Sequence, residues 1–246
     1  MRSFLGKRYW LIGASEGIGR AIALSLSKEG AEVIVSARNA ERLAEVVAEV
    51  PGKASAQVID VGDRASVEAA ADAVGDVDGI VFLAGLYWPM KPDEWQAADA
   101  ETMADVNYVG AVRVVGAVLP KLLARGEGHL VLTGSLSGFR GLPGAAVYGS
   151  SKAGVMQLAE SLYADLRRTK IDIQLSNPGF VRTRLTEKND FHMPFIMDPD
   201  EAARHILDHM RSDRFKQSFP SLFASFFRIS QLMPDWLYYA IMRPSR

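Results

Sequence analysis

The strongest constraint on this chain is a regular alternation of short apolar runs with stretches of helical periodicity, beginning with a run that ends in glycines. Arg8–Ile12 is apolar and leads into Gly13, and residues 17–29 then repeat their apolar positions at helical spacing. The pattern recurs as strands at 32–36, 54–59, 79–83, 129–133 and 171–175. Helices are predicted between them at 40–50, 64–74, 101–123 and 147–168, with Pro120 kinking or stopping the long one. Val33-Ile34-Val35 and Ile80-Val81-Phe82 are continuous rather than alternating, so those strands are buried on both faces. Right-handed crossovers then give an α/β, doubly wound parallel sheet covered by helices on both sides.

No linker or low-complexity stretch interrupts the 246 residues, which read as a single domain over 1–246. After Gly179 glycine disappears and phenylalanine becomes frequent. Residues 180–200 are expected to form a lid, and 221–246 an apolar helical tail. With 48% hydrophobic residues there is material for a real core, and a net charge of −1 gives no bulk attraction for nucleic acid. With 0 cysteines, thiolate metal sites, disulfides and cysteine nucleophiles are excluded, and with 4 histidines no metal site is expected. No targeting segment and no uninterrupted apolar run of about 18 residues is found. The expectation is a soluble, cytoplasmic protein.

Gly13-Ala14-Ser15-Glu16-Gly17-Ile18-Gly19 joins the first strand to the first helix. Gly13 permits a tight turn, Gly17 lets backbone approach a pyrophosphate, and Gly19 lets helix and strand pack closely. The helix N-terminus offers free N–H groups to phosphate. The spacing G-x-x-x-G-x-G differs from the common G-x-G-x-x-G, so the loop alone also fits an ordinary glycine-rich turn.

Tyr148-Gly149-Ser150-Ser151-Lys152 places a tyrosine and a lysine four apart, on one face of a predicted helix. Ser135 lies thirteen residues upstream, and Gly138 follows it by three, which favours it over Ser137. With the glycine loop, these motifs resemble the short-chain dehydrogenase/reductase family over residues 7–183. Asp60-Val61, Ala84-Gly85, Asn107 and Asn177-Pro178-Gly179 match in order and spacing. The resemblance implies a Rossmann-like sheet of about seven strands. It implies Ser135, Tyr148, Lys152 and Asn107 as catalytic residues. It further implies a nicotinamide dinucleotide held by Gly13, Ser15, Glu16, Gly17, Ile18, Gly19, Arg38, Asp60, Val61, Ala84, Gly85, Tyr148, Lys152, Pro178, Gly179, Val181 and Thr183. One departure stands out: Phe82-Leu83-Ala84-Gly85 replaces the family's Asn-Asn-Ala-Gly, removing amides that brace the sheet edge.

A free phenol, with pKa about 10, is a poor acid or base at neutrality. An ammonium beside it lowers that value, and reaching about 7 takes roughly 4 kcal/mol of differential interaction. Tyr148 is therefore expected to exchange a proton with a carbonyl oxygen, Ser135 to hydrogen-bond that oxygen, and Lys152 to tune the phenol. In the family Lys152 also binds the nicotinamide ribose, and Asn107 holds a relay water. The second strand ends in Ala37 where NAD-preferring folds carry an acidic residue, and Arg38 follows. A guanidinium suits a 2′-phosphate, so NADP is expected, with NAD the alternative.

These features predict an oxidoreductase interconverting a carbonyl and an alcohol, its substrate a moderately apolar ketone, aldehyde or 3-oxoacyl compound. The competing reading is a non-catalytic dinucleotide-binding regulator. A hydrolase using Ser135 lacks a suitable histidine and a nucleophile elbow. Phe191, Met193, Phe195, Ile196 and Met197 either close over substrate or fill core space. His205 and His209, four apart, read as a solvated helix face. In 221–246 aromatic residues crowd together, and Arg228, Arg243 and Arg246 outnumber the single Asp235. A homodimer or homotetramer contact, or a pocket wall, is favoured there over a membrane surface.

Overall fold

The computed structural model describes residues 1–242; Arg243 and Arg246 lie outside the described residues. Strands β1 (Arg8–Ile12), β2 (Glu32–Ala37), β3 (Ala54–Val58), β4 (Gly79–Phe82), β5 (Glu127–Thr133), β6 (Lys170–Pro178) and β7 (Lys216–Phe219) form one sheet. Their order is β3-β2-β1-β4-β5-β6-β7 and every pairing is parallel. The winding reverses between β1 and β4. The loops after these two strands therefore diverge and open a crevice at the carboxyl edge of the sheet.

Helices α1 (Gly17–Lys28), α2 (Ala40–Glu49) and α7 (Pro199–Arg211) cover one face through Ile22, Leu43 and Ile206. Helices α3 (Arg64–Val74), α5 (Gly110–Arg125) and α6 (Ala146–Leu166) cover the other through Val67, Val114 and Val155. Trp10 is fully enclosed and its indole N–H still finds Ser36 Oγ at 2.8 Å. Burial of such side chains contributes roughly 1.5–3 kcal/mol each.

The long helix departs from expectation at both ends. It starts with α4 (Ala97–Ala104), passes through a π-helical turn (Asp105–Val109) and continues as α5. Pro120 does not stop it, because Val118 and Leu122 on either side are buried against the sheet. It ends instead at Gly126, where φ of +79° permits a left-handed cap. The span Ala97–Arg125 is apolar and long enough to cross a bilayer, but Val114, Val118 and Leu122 use its apolar stripe as core.

His209 corrects the solvated-face reading. It is fully buried, with Nδ1 bonded to Ser176 Oγ and Nε2 to the carbonyl of Arg214, both at 2.8 Å. Burial lowers its pKa to about 4. His129, buried between Tyr9 and Gln174, is likewise held down to about 3. His205 instead stacks on Phe219 at 5.0 Å.

The tail forms a hairpin of α8 (Ser221–Ser230) and α9 (Asp235–Ile241). Its inner face, Ala224 and Phe227, packs against Leu136, Phe139 and Leu142. Arg140 fastens it: the guanidinium donates to the carbonyls of Ser230 and Met233, pairs with Asp235 at 2.5 Å and lies 4.1 Å from the Tyr238 ring centre.

Candidate active site

At the crevice the chain is pressed together by backbone rather than by side chains. A Cβ at Gly19 would sit 2.2 Å from Gly13 O, and one at Gly13 would sit 2.5 Å from Ala84 N. Glycine is therefore needed at both positions for α1 to start directly over β1 and for the loop to touch the turn after β4. Glu16 precedes α1 in extended conformation without a side-chain cap, and no acidic side chain lies in the first turn. The leading amides around Ser15, Gly17 and Ile18 thus keep their partial positive charge for an anion. The Glu16 carboxylate is taken up by Arg42 at 3.3 Å and Arg184 at 2.5 Å.

The other loops converge on the same edge. After β3, Asp60 Oδ1 accepts from the Gly62 N–H at 2.9 Å, and Val61 is buried under Gly110. After β4, Ala84 and Gly85 run beside Asn107, which the π-helical turn carries. Asn107 Oδ1 accepts from Leu86 N (2.7 Å), and Nδ2 donates to Leu86 O (2.9 Å) and Ser151 Oγ (3.1 Å). Its amide thus braces the β4 turn against α6. Thr133 Oγ1 is buried and unbonded among the described residues. Phe82 pairs with Leu132, so continuing that register sets Leu83 beside Thr133, where the missing amide of the departure would lie.

Ser135 ends the loop after β5, buried, with its Oγ accepting from Ser137 N (3.2 Å) and Ser137 Oγ (2.9 Å). Tyr148 and Lys152 lie on successive turns of α6. Lys152 is buried and donates to Thr133 O at 3.1 Å; its Nζ is 5.9 Å from the Tyr148 ring centre. The expected tuning of the phenol toward neutrality is absent from this structure. Burial pushes Tyr148 up to about 12, opposed by a side-chain hydrogen bond with Ser135. Burial in turn brings the Lys152 ammonium down to about 8. Desolvation outweighs the distant lysine, so the phenol is a protonated acid at neutral pH.

Asn177 and Pro178 close β6 rather than following it, and Asn177 Oδ1 is buried without a partner among the described residues. Beyond Gly179, Val181 and Met197 form a bridge that pinches the base of the lid. Met197 is core, whereas Phe191 and Phe195 are exposed. Thr183 lies over Gly17, with Cγ2 3.0 Å from where a Cβ there would sit. Arg38 directly follows β2 and is exposed, with no ion pair among the described residues.

Several groups at the cleft escape sequence reasoning. The Tyr87 ring meets that of Tyr148 edge-on at 4.9 Å, and burial raises the Tyr87 pKa. Lys188 of the lid reaches across to Tyr87 O at 3.0 Å and lies over Trp88 at 4.6 Å. Arg184 ties the lid to Glu16 on the opposite wall. These contacts join residues about a hundred or more positions apart, and no local motif announces them.

A buried serine, a half-buried tyrosine and a buried lysine thus gather at the switch point of a doubly wound sheet, beside a glycine loop. A short chain dehydrogenase family model matches residues 7–193. An oxidoreductase of Myxococcus xanthus is 35% identical over 241 residues, covering 95% of both chains. A short-chain dehydrogenase structure from Streptomyces avermitilis superposes with TM-score 0.83 at 26% identity, covering 96% of this chain and 95% of that one. An actinorhodin polyketide ketoreductase solved with NADPH superposes with TM-score 0.79 at 26% identity, covering 87% and 95%. The chain belongs to the short-chain dehydrogenase/reductase family and is an oxidoreductase of that family.

Proposed function

We propose that this enzyme is an NADP(H)-dependent carbonyl reductase acting on a moderately apolar ketone, aldehyde or 3-oxoacyl compound. The observation that carries the reading is the placing of Tyr148 and buried Lys152 on successive turns of α6, beside buried Ser135 at the mouth of the glycine-loop crevice. A non-catalytic regulator has no use for such a pair.

The residues present fit a dinucleotide. Lys152 has one protein partner, Thr133 O, for three N–H groups, and its Nζ lies 3.5 Å from where a Cβ at Gly85 would sit. That leaves donors for ribose hydroxyls in a space that a side chain would fill. The amides of Ser15, Gly17, Ile18 and Gly19 suit the pyrophosphate, Asp60 and Val61 the adenine, and Pro178, Gly179, Val181 and Thr183 the nicotinamide end. Exposed Arg38, with Arg42 on the next turn, gives a cationic corner for a 2′-phosphate. Two arginines share the single Glu16 carboxylate there, leaving net positive charge.

When bound, the nicotinamide supplies or accepts hydride. Tyr148 donates its proton to the substrate oxygen as negative charge develops, and Ser135 hydrogen-bonds that oxygen. Lys152 stabilises the phenolate left behind, and Asn107 fixes the turn over which a relay water returns the proton. The lid, held by Lys188 and Arg184, excludes water. The ketoreductase with NADPH among the structural relatives supports this direction and cofactor.

The test is kcat/KM for NADPH against NADH, using carbonyl compounds of graded chain length. NADPH should be preferred, and Arg38→Ala should cost roughly 2 kcal/mol, about thirtyfold, for NADPH alone. A wild-type preference for NADH, or an Arg38→Ala variant that keeps its selectivity, overturns the cofactor assignment.

A further inference from the structure

A surface helix normally buries one apolar stripe and turns polar residues to water. The tail hairpin does not. While Ala224, Phe227 and Tyr238 face inward, the outward positions of α8 are Leu222 (72% exposed) and Ile229, two turns apart. Leu232 at the connecting turn is 87% exposed, and α9 shows Trp236 (74%), Tyr239 and Ile241. The hairpin is not a loose end. Arg140 satisfies two carbonyls at its turn and one carboxylate, and Tyr238 Oη donates to Gly141 O at 2.9 Å. A fixed helical platform with apolar side chains on both sides needs an outer partner.

Charge identifies the partner. Residues 221–246 carry three arginines (Arg228, Arg243 and Arg246) and one carboxylate. That carboxylate, Asp235, is already paired with Arg140, while Arg228 is exposed. A twofold contact with a second copy would set the exposed Arg228 of this hairpin against its own copy, while the carboxylate of Asp235 is already taken by Arg140. An anionic lipid surface supplies the missing charge, and Trp and Tyr flanking leucine and isoleucine suit the headgroup boundary. We propose that the α8–α9 hairpin docks the enzyme on an anionic membrane surface, with Leu222, Ile229, Leu232, Trp236, Tyr239 and Ile241 entering the interface. The lid touches the same hairpin, Phe195 packing on Phe223 at 5.6 Å. On the carbonyl-reductase reading, docking brings the site's cover next to lipid-borne substrates; docking itself does not depend on that reading.

The experiment is flotation of the full-length protein, without cofactor or substrate, with phosphatidylcholine vesicles and with vesicles containing about one-third phosphatidylglycerol. The protein should float with the anionic vesicles, less so in high salt, and weakly with neutral ones. The double variant Leu232→Glu, Trp236→Glu should lower the bound fraction roughly tenfold or more, with an unchanged melting transition because both side chains are exposed. If that variant loses its melting transition, Leu232→Glu alone takes its place. Absence of flotation on anionic vesicles, or flotation indifferent to the substitutions, overturns the proposal. So does a double variant that breaks a larger oligomer while flotation persists, since the face would then belong to a second copy.

Discussion

The sheet and the tail treat apolar side chains in opposite ways. Between β1 and β6, large side chains such as Trp10, Phe82 and Leu132 are enclosed, and a cluster of polar side chains, Ser135, Asn107 and Lys152, is buried at the carboxyl edge. Beyond Gly179, Phe191, Phe195, Leu232 and Trp236 stand in solvent. The first region spends its burial on holding a few polar atoms in a dry crevice. The second packs on the segment after β5 and leaves large apolar side chains on its outer surface. A polar cluster is thus held by backbone proximity and desolvation in one region, while the other is marked by exposed aromatic and aliphatic area.

The sharpest way to break the comparison is at its most desolvated cation. Lys152→Met keeps the volume and the burial but removes the charge that would stabilise a phenolate. It should lower kcat/KM roughly 10²–10⁴-fold with little effect on the melting temperature. The wild-type reduction rate should hold through neutrality and fall as pH passes about 8, where Lys152 loses its proton. A flat profile from pH about 7 to about 10 would assign the tuning to another group.

Acid tests the enclosed region alone. Unfolded, each imidazole takes a proton near pH 6.5. Folded, His209 resists to about 4 and His129 to about 3, both because of burial. The unfolded state therefore binds more protons below about pH 6.5, and stability falls as pH drops toward 4. Between pH 7 and 5 the two histidines together should cost roughly 4 kcal/mol, read as a fall in denaturation midpoint. His209→Gln should remove part of that slope.

The smallest effect concerns the join between the regions. Arg140→Ala leaves the carbonyls of Ser230 and Met233 without their donor and should cost about 2 kcal/mol of stability. Because Arg140 lies on the segment between Ser135 and Tyr148, kcat should fall several-fold as well. If the melting temperature falls and kcat does not, the hairpin is a cover with no hold on the catalytic loop.

Much of the enclosed region was legible from sequence, because its constraints are local. Continuous apolar runs gave β1, β2 and β4 to within a residue, and the order of Gly13–Gly19, Ser135, Tyr148 and Lys152 reported positions that the fold brings together. β7 was not assigned, since Lys-Gln-Ser-Phe is short and polar and becomes a strand only by pairing with β6. His209 was misread because an i, i+4 spacing does not say which helix face is buried. The pKa of Tyr148 was misjudged for a similar reason: helical spacing brings Lys152 close but does not reveal how dry the site is. Tyr87, Arg140, Arg184 and Lys188 act through distant partners, and such contacts leave no motif.

The most direct measurement is Tyr148→Phe, with turnover and cofactor binding read on the same protein. Removing one hydroxyl from a packed ring should leave nicotinamide-cofactor affinity, followed by fluorescence titration, nearly unchanged. Turnover should fall at least 10²-fold, because the proton on the proposed path to the substrate oxygen is the one carried by the Tyr148 hydroxyl. Turnover kept near the wild-type rate would contradict the account, and the proton would have to come from elsewhere.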